Sequence, residues 1–465
     1  MRELLAGLAL ALGLPVQAQT LTLAEVLDTS RRFAPQVQEA LARLGVAAGR
    51  RLEAEGAFDT RVDVRVDARP TGFYDGRQVS ALVTRPLADR GGEVFAGYRV
   101  SGGTFPVYED ESFTNRGGEL KAGAVLALLR DRAIDERRFG RIAAENDFRL
   151  AETDVLLAAI GVQRRAIGAY LEWVAAGQRL RVFRALLAIA EERQAGFKRQ
   201  VAAGARPAII VTENEQVILR RRALVVDAER ALEAAAQRLS LFWRDAEGRP
   251  RVPGPDRLPA GFPPPLPLAP DGPARALGRP ELKAIEVRLD QAAQKLRLDE
   301  NLRRPRLDLK AEASQDLGPV GLGGPSRTGF ETKVGLSFSL PLERRVAEGR
   351  MAATRAEIRA LGFRRQQLEE EILANLGALD ADVRATRAVR ALAEAERERA
   401  VALARAEQRR FRLGASDLFL TTVREEQAAD AEVRAIDAAL RQALAHADVA
   451  AATADLEALG LEPEV

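Results

Sequence analysis

The chain carries the same order of elements twice, and this tandem duplication limits the folds that it can adopt. Residues 280–316 repeat the pattern of residues 34–69, in which a charged helix leads into a strand of alternating apolar and charged residues. Residues 332–358 repeat the pattern of residues 119–145, in which a strand leads into a very long helix. Each copy is therefore predicted as helix, strand, strand, long helix and helix, and the duplication sets the architecture.

Two strands are predicted in each copy, at about 57–69 and 118–129 in the first and at about 304–316 and 331–342 in the second. Apolar and polar side chains alternate along them, which places the two kinds on opposite faces. Such strands fit a barrel with lipid outside and water inside, although half-buried strands of a soluble sheet give the same alternation. The candidates for the water-filled side are Asp63, Arg65, Asp308 and Lys310.

Helices are predicted at 21–56, 133–199 and 206–243 in the first copy, and at 274–303, 344–412 and 416–459 in the second. At 1.5 Å per residue, each long helix would span about 100 Å. Helices of this length need neighbours packed along them, because propensity alone does not stabilise them. The two structural repeats are assigned to 19–248 and 274–465, and the proline-rich residues 249–273 are predicted to be an extended linker between them.

Residues 1–18 have the features of a secretory signal peptide. Arg2 precedes an apolar run from Leu4 to Val16, and Val16-Gln17-Ala18 resembles a cleavage site. No later segment supplies the roughly 20 apolar residues of a membrane helix. The chain contains no cysteine, which excludes disulfides, thiolate metal sites and a lipid-modified cysteine.

The sequence gives no indication of an enzyme, a cofactor or a metal site. It contains no nucleotide-binding or hydrolase motif, and its single histidine, His446, is predicted to be a packing residue. The acidic pairs near 369–371 and 425–426 lie on arginine-rich helices and are expected to form ion pairs. The net charge of +3 comes from interspersed charges, which argues against nucleic-acid binding.

Two segments interrupt the regular pattern. Residues 70–118 are rich in glycine and aromatic residues, which indicates membrane-interface anchors or an external loop, and residues 78–86 and 93–101 can form an additional hairpin. Glycine turns at Gly204 and Gly414 join each long helix to the helix that follows it.

Four amphipathic strands cannot enclose a lumen, because membrane barrels begin at about eight strands. A closed ring of two or more chains is therefore expected.

These features together resemble the TolC family of outer-membrane efflux proteins, the outer membrane factors. The resemblance covers nearly the whole chain after residue 18 and is carried by the duplicated order, the turn glycines, and the strand motifs FDTRVDVRV (58–66), RPRLDLKAEAS (304–314) and KVGLSFSLPL (333–342). It implies a mainly α fold with a β-barrel sector. Closed only as a homotrimer, the chain would form a twelve-stranded barrel in the outer membrane, with four strands per chain, and a coiled-coil helical tunnel in the periplasm.

The resemblance also implies docking of the tunnel tips to a periplasmic adaptor and an inner-membrane pump. Val201, Gly204, Phe411 and Gly414 match the family's tip-turn positions. The carboxylates that close the tunnel in well-known members are absent, since Ile210, Leu420 and Val423 occupy the matching positions. An apolar constriction is the expected replacement, because such constrictions can gate by dewetting. Asp417, the nearest carboxylate to the second turn, is either part of this constriction or a helix cap.

The function expected from the resemblance is passive export across the outer membrane. The chain would be the outer component of a tripartite efflux or type I secretion system, surrounded by outer-membrane lipid and without a cofactor. The sequence does not identify the cargo, and drugs, metal ions, polysaccharide and protein are all left as alternatives. The alternative is a periplasmic coiled-coil scaffold without a pore, whose strands form a soluble sheet.

Overall fold

The computed structural model describes residues 20–106, 108, 112–321 and 328–461, so the predicted signal peptide lies outside the described residues. The helices are α1 (Leu23–Phe33), α2 (Pro35–Glu55), α3 (Glu136–Ala202), α4 (Ile209–Ser240), α5 (Gly272–Leu277), α6 (Pro280–Asn301), α7 (Arg345–Arg412) and α8 (Leu418–Ala452). Two compact units are distinguished, Met1–Ala40 with Val155–Pro280 and Glu369–Val465, and Leu41–Asp154 with Glu281–Leu368. The two longest helices, α3 and α7, contribute residues to both units.

Proline divides two of the predicted helices. The single helix expected at 21–56 is wrong, because Ala34 adopts an extended conformation with ψ 127° and separates α1 from α2. The helix expected at 274–303 is likewise divided, since α5 ends at Leu277 and α6 starts at Pro280. In both places the residue before a proline is disfavoured in the helical region, because the proline ring crowds its backbone.

In its described residues, the second unit contains one antiparallel sheet with six strands in sequence order. They are β1 (Arg61–Ala68), β2 (Arg77–Pro86), β3 (Gly92–Gly102), β4 (Glu119–Ala127), β5 (Arg306–Asp316) and β6 (Phe330–Ser339). The expectation of four strands is therefore wrong. The aromatic-rich segment contributes β2 and β3 between β1 and β4, and each pairs along its length with both neighbours. Because the hairpin adds two strands, the up-and-down alternation of the sheet is preserved.

The first unit has a core of buried apolar side chains from α1, α3, α4 and α8. Trp173 and Val174 of α3 and Leu239 of α4 are fully buried in it. The predicted linker is packed against this core through Leu258 and Phe262. Its extended backbone supplies acceptors for helix side chains, since the Arg181 guanidinium of α3 donates to the carbonyl oxygens of Pro259 and Ala260 at 2.8 and 2.9 Å.

Replacing the largest buried side chain tests this core. Trp173→Ala is expected to lower the free energy of unfolding by about 3–5 kcal/mol, because it removes apolar contacts and leaves a cavity. Arg230→Ala is the control, since this side chain of α4 is 76% exposed, and its effect is expected within about 0.5 kcal/mol. Chemical denaturation of the purified protein measures both, and equal effects would contradict the assignment of Trp173 to the core.

Candidate functional site

The strand register collects most apolar side chains of the six strands on one face of the sheet. Val62 of β1 lies opposite Val83 of β2, which lies opposite Ala96 of β3, and the pattern continues to β6. The face contains Val62, Val64, Val66, Val79, Ala81, Val83, Val94, Ala96, Tyr98, Leu120, Ala122, Ala124, Leu309, Ala311, Ala313, Val334, Leu336 and Phe338. On the outer strands it is open, as 66% exposure of Val64 and 76% exposure of Val334 show. A continuous exposed apolar face of this size indicates contact with lipid or protein.

The opposite face of the sheet is polar and carries the four predicted lumen residues. Asp63 and Arg65 lie on β1, and Asp308 and Lys310 lie on β5, with three strands between them. Neighbouring opposite charges pair on this face. The Arg306 Nε donates to Asp308 at 2.6 Å, and Lys310 Nζ lies 2.9 Å from a Glu312 carboxylate oxygen. The face is therefore charged but locally balanced, with both signs present on β1 and β5.

The helix turns at the end of the first unit are built around the two predicted glycines. Gly204 has φ 69° and Gly414 has φ 77°. The N–H of Gly204 donates to Val201 O at 2.9 Å, and the N–H of the next residue donates to Gln200 O at 2.8 Å. The same pair of bonds recurs at Gly414. This is the Schellman motif, which needs a residue in the left-handed conformation and therefore favours glycine.

The two turns pack together through apolar side chains, of which the sequence had indicated only Val201, Ile210 and Phe411. Val201 and Phe411 contact a cluster of three buried residues, Phe197, Ile210 and Leu418. The rings of Phe197 and Phe411 meet edge to face, with centroids 6.2 Å apart. The Arg206 guanidinium lies 5.4 Å from the Phe411 ring centroid, within cation–π range. Each turn thus supports the other.

The predicted constriction residues fall in different surroundings. Ile210 is buried inside the tip cluster, whereas Leu420 and Val423 of α8 are half-buried. Asp417 is exposed and caps α8, since its Oδ1 accepts the N–H of Leu420 at 2.7 Å. A side-chain acceptor at this position satisfies a free N–H of the first helical turn. Only Leu420 and Val423 therefore stay partly accessible as apolar candidates.

A buried ion cluster joins the four helices behind the tips. The Glu425 side chain of α8 is 1% exposed and accepts hydrogen bonds from Arg193 of α3, from Arg221 of α4 at 2.8 Å and from Gln408 of α7 at 3.0 Å. Arg221 also donates to Leu186 O at 2.7 Å. Burial lowers the pKa of the Arg193 guanidinium, and the Glu425 carboxylate opposes that shift.

The expectation of ion pairing near 425–426 is confirmed, but the burial of Glu425 was not foreseen. Its partners come from helices far apart in sequence, up to 232 residues away. The available signal was its place in the apolar stripe of α8, since Thr421, Thr422, Ala428 and Ala429 are also buried. A charge in such a stripe has to be paired, because an isolated buried charge is very costly.

The single histidine is buried and contacts a backbone carbonyl oxygen. His446 is 6% exposed, and its Nδ1 lies 2.7 Å from Leu266 O of the inter-repeat segment. No set of three potential metal-ligating side chains converges anywhere in the described part of the chain. Among the described helices, none has both the length and the apolar character needed to cross a bilayer.

Removal of the Glu425 charge is expected to destabilise the helical unit strongly. Glu425→Gln leaves Arg193 and Arg221 buried without a carboxylate, which is expected to cost about 3–5 kcal/mol of unfolding free energy. Glu426→Gln is the matched control, because Glu426 pairs with the exposed Arg220 and such pairs contribute about 0–1 kcal/mol. Denaturant titration of both variants measures the difference, and similar losses would refute a special role for Glu425.

Alanine at the turn glycines is expected to strain both turns. Gly204→Ala or Gly414→Ala places a β-carbon on a left-handed residue, at a cost of about 1–2 kcal/mol. Gly196→Ala is the control, since Gly196 lies within α3 with open space around it and is expected to gain about 0.5–1 kcal/mol. Hydrogen exchange at the ends of α3 and α7 provides a local readout, and unchanged protection in the turn variants would contradict the strain.

Comparison with known proteins gives a consistent result for the fold. No family model matches the chain, and no curated protein matches its sequence significantly. Among solved structures, the open state of the MtrE outer-membrane channel of Neisseria gonorrhoeae has a TM-score of 0.65 at 16% identity, covering 93% of this chain and 88% of that chain.

Two further structures agree over most of their lengths. A membrane protein from Pseudomonas aeruginosa has a TM-score of 0.63 at 17% identity, with 94% of this chain and 95% of that chain covered. The outer-membrane protein VceC of Vibrio cholerae has a TM-score of 0.62 at 16% identity, with 95% and 97% covered. The chain therefore has the fold of these membrane proteins, and the mainly helical fold with a strand sector that the TolC-family resemblance predicted is confirmed.

Proposed function

We propose that this chain is a subunit of an outer-membrane export channel of the TolC family. The main evidence for this proposal is the division of the six-stranded sheet into a mainly apolar face and a charged face. This division suits lipid on one side and water on the other. A soluble scaffold would need another protein surface to cover the apolar face. The fold shared with MtrE and VceC supports the same proposal.

The channel closes as a homotrimer in this proposal. In the described sheet β1 and β6 each have a strand on one side only, so their outer edges carry backbone groups that need partners in lipid. The long helices also present apolar side chains without cover from their own chain. Phe363 and Leu392 of α7 are 72% and 71% exposed. Neighbouring copies would cover these side chains along the periplasmic tunnel and pair the open strand edges.

The turns at Gly204 and Gly414, with Val201 and Phe411, form the proposed docking end for a periplasmic adaptor. Leu413 and Phe419 beside the second turn are 84% and 78% exposed, which gives this end apolar contact area. An adaptor would link the channel to an inner-membrane pump, which supplies the energy. This arrangement suits the outer component of a tripartite efflux or type I secretion system.

Control of passage is assigned to the tip rather than to the barrel. Leu420 and Val423, together with the capping Asp417, would form the narrowest ring when several copies meet. Ile210 would stabilise the same tip from inside its apolar cluster. An apolar ring expels water when narrow, so a small widening on docking would restore conduction. Hydrated cargo would then pass the charged face that carries Asp63, Arg65, Asp308 and Lys310.

Fractionation tests the location and the copy number. The mature chain is expected in the outer-membrane fraction, and its native mass in mild detergent is expected to equal three chains. Recovery as a soluble monomer or dimer from the periplasm would replace the channel with the scaffold alternative.

Conductance tests the apolar constriction. Leu420→Ser combined with Val423→Ser is expected to raise single-channel conductance several-fold in planar bilayers, because a polar ring stays wet. Leu219→Ser with Val226→Ser is the matched control, since these residues of α4 are of the same types and are 66% and 63% exposed. Unchanged conductance in the tip variant, or an equal rise in the control, would remove the constriction from Leu420 and Val423.

A further inference from the structure

We propose that the β2–β3 hairpin is part of the pore wall, so that each copy contributes six strands and three copies close an eighteen-stranded barrel. The strand count per copy rests on the sheet, whereas the membrane location and the three copies rest on the proposed function. The partner surface is the outer edge of β1 on one copy and the outer edge of β6 on the next.

The turn between β2 and β3 is hydrogen-bonded to the end of β4 and to the connection between β4 and α3. The N–H of Gly91 donates to Arg132 O at 3.2 Å, and Gly91 O accepts the N–H of Ala127 at 3.0 Å. A β-carbon at Gly91 would lie 1.9 Å from Asp131 O. At Gly92, where φ is 131°, it would lie 2.0 Å from Val125 O. Only glycine permits these approaches, so the turn is built to lie against the neighbouring chain segment.

The opposite end of the hairpin, near the start of β2 and the end of β3, is also bonded to neighbouring segments. The Tyr98 hydroxyl donates to Gly117 O at 2.8 Å, and the Arg99 guanidinium lies 2.6 Å from the buried Glu119 carboxylate. In the loop before β2, the Asp75 carboxylate accepts the N–H of Thr104 at 2.8 Å, which lowers the pKa of Asp75. A hairpin bonded at both ends and paired with β1 and β4 is a wall element rather than a mobile external flap.

The middle of the hairpin also matches the two faces of the sheet, whereas Arg77 and Arg85 at the ends of β2 lie on the apolar face. Ala81 and Val83 lie in line with the apolar side chains of β1, whereas Ser80 lies beside Arg65 on the polar face. Since two strands are added, β1 and β6 still run in opposite directions and can pair between copies. On the polar face β1 offers Asp63 and Arg65, and β6 offers Glu331 and Lys333. These alternating charges allow opposite signs to meet across the seam.

The inferred wall sets the width of the exit. Strands about 4.8 Å apart and tilted by about 40° give a backbone diameter of about 36 Å for eighteen strands, against about 24 Å for twelve. Barrels of sixteen to eighteen strands typically leave an aqueous channel. The exit would therefore be about one and a half times as wide as a twelve-stranded one, and selection by size would lie at the helical tips.

Engineered disulfides test the strand order, because the natural chain contains no cysteine. Val64 and Ala81 are direct partners across β1 and β2, so the pair Val64→Cys and Ala81→Cys is expected to oxidise. In the six-stranded wall β1 and β4 are about 14 Å apart, beyond the 4.4–6.8 Å Cα separation of a disulfide. Val64→Cys is therefore expected not to bond with Leu120→Cys, Ala122→Cys or Ala124→Cys.

The control pair is Ala122→Cys with Ala313→Cys, direct partners across β4 and β5 whose bond does not depend on where the hairpin lies. Oxidation is scored by gel mobility on protein from isolated outer membranes. A β1–β4 disulfide without a β1–β2 disulfide would place the hairpin outside the wall and overturn the inference. The β1–β2 disulfide in a periplasmic protein would instead overturn the proposed channel and leave the six-stranded sheet intact.

Electron microscopy of the detergent-extracted ring tests the strand total. A ring of three copies with a barrel backbone about 36 Å wide is the expected result, and a width of about 24 Å would contradict it. A ring of two copies would give twelve strands and would also overturn the eighteen-stranded barrel.

Discussion

A strand edge in hydrocarbon leaves backbone N–H and C=O groups without partners, and the cost of those groups governs how the proposed channel can be built. Each such group costs several kcal/mol in lipid, where no water can replace the missing bond. The sheet has two such edges, at β1 and β6, and one of its faces is mainly apolar. If that face contacts lipid, the edges have to meet copies of themselves. Oligomerisation is then a condition of membrane insertion rather than a later step.

The helical unit is governed by a different cost, that of a buried charge. Glu425 connects α3, α4, α7 and α8 through Arg193, Arg221 and Gln408. Removing one partner of a buried pair typically costs about 3–5 kcal/mol, so movements that separate these helices are unfavourable. The shared apolar cluster of the two turns acts in the same direction. Opening of the proposed channel is therefore expected to move the four-helix tip of each chain as one body, with the change taken up between copies.

Periodicity in the sequence predicted most of the architecture, because each long helix and each strand of the repeated unit has a regular pattern. The breaks at Ala34 and before Pro280 were missed, although proline marks both, because the apolar spacing continues across them. The β2–β3 hairpin was noted only as an option. Its strands have shorter alternating runs, and the close approach of Gly91 and Gly92 to β4 and the segment after it is a contact that no local pattern contains.

The candidate site was likewise predictable only in part. The turn glycines were predictable, since each ends a long helix where a left-handed residue is needed. The burial of Ile210 and the partners of Glu425 were not, because both depend on which helices become neighbours. Alternation correctly placed Asp63, Arg65, Asp308 and Lys310 on one face, but periodicity does not specify what medium that face meets.

The most direct test of the account is the reactivity of single cysteines along β1 in intact outer membranes. Cysteines at positions 63, 65 and 67 are expected to react with a charged, water-soluble thiol reagent, because these side chains share the polar face. Cysteines at positions 62, 64 and 66 are expected to stay unreactive, because the proposed channel presents the apolar face to lipid. Uniform reactivity at all six positions would show water on both faces and would contradict a membrane channel.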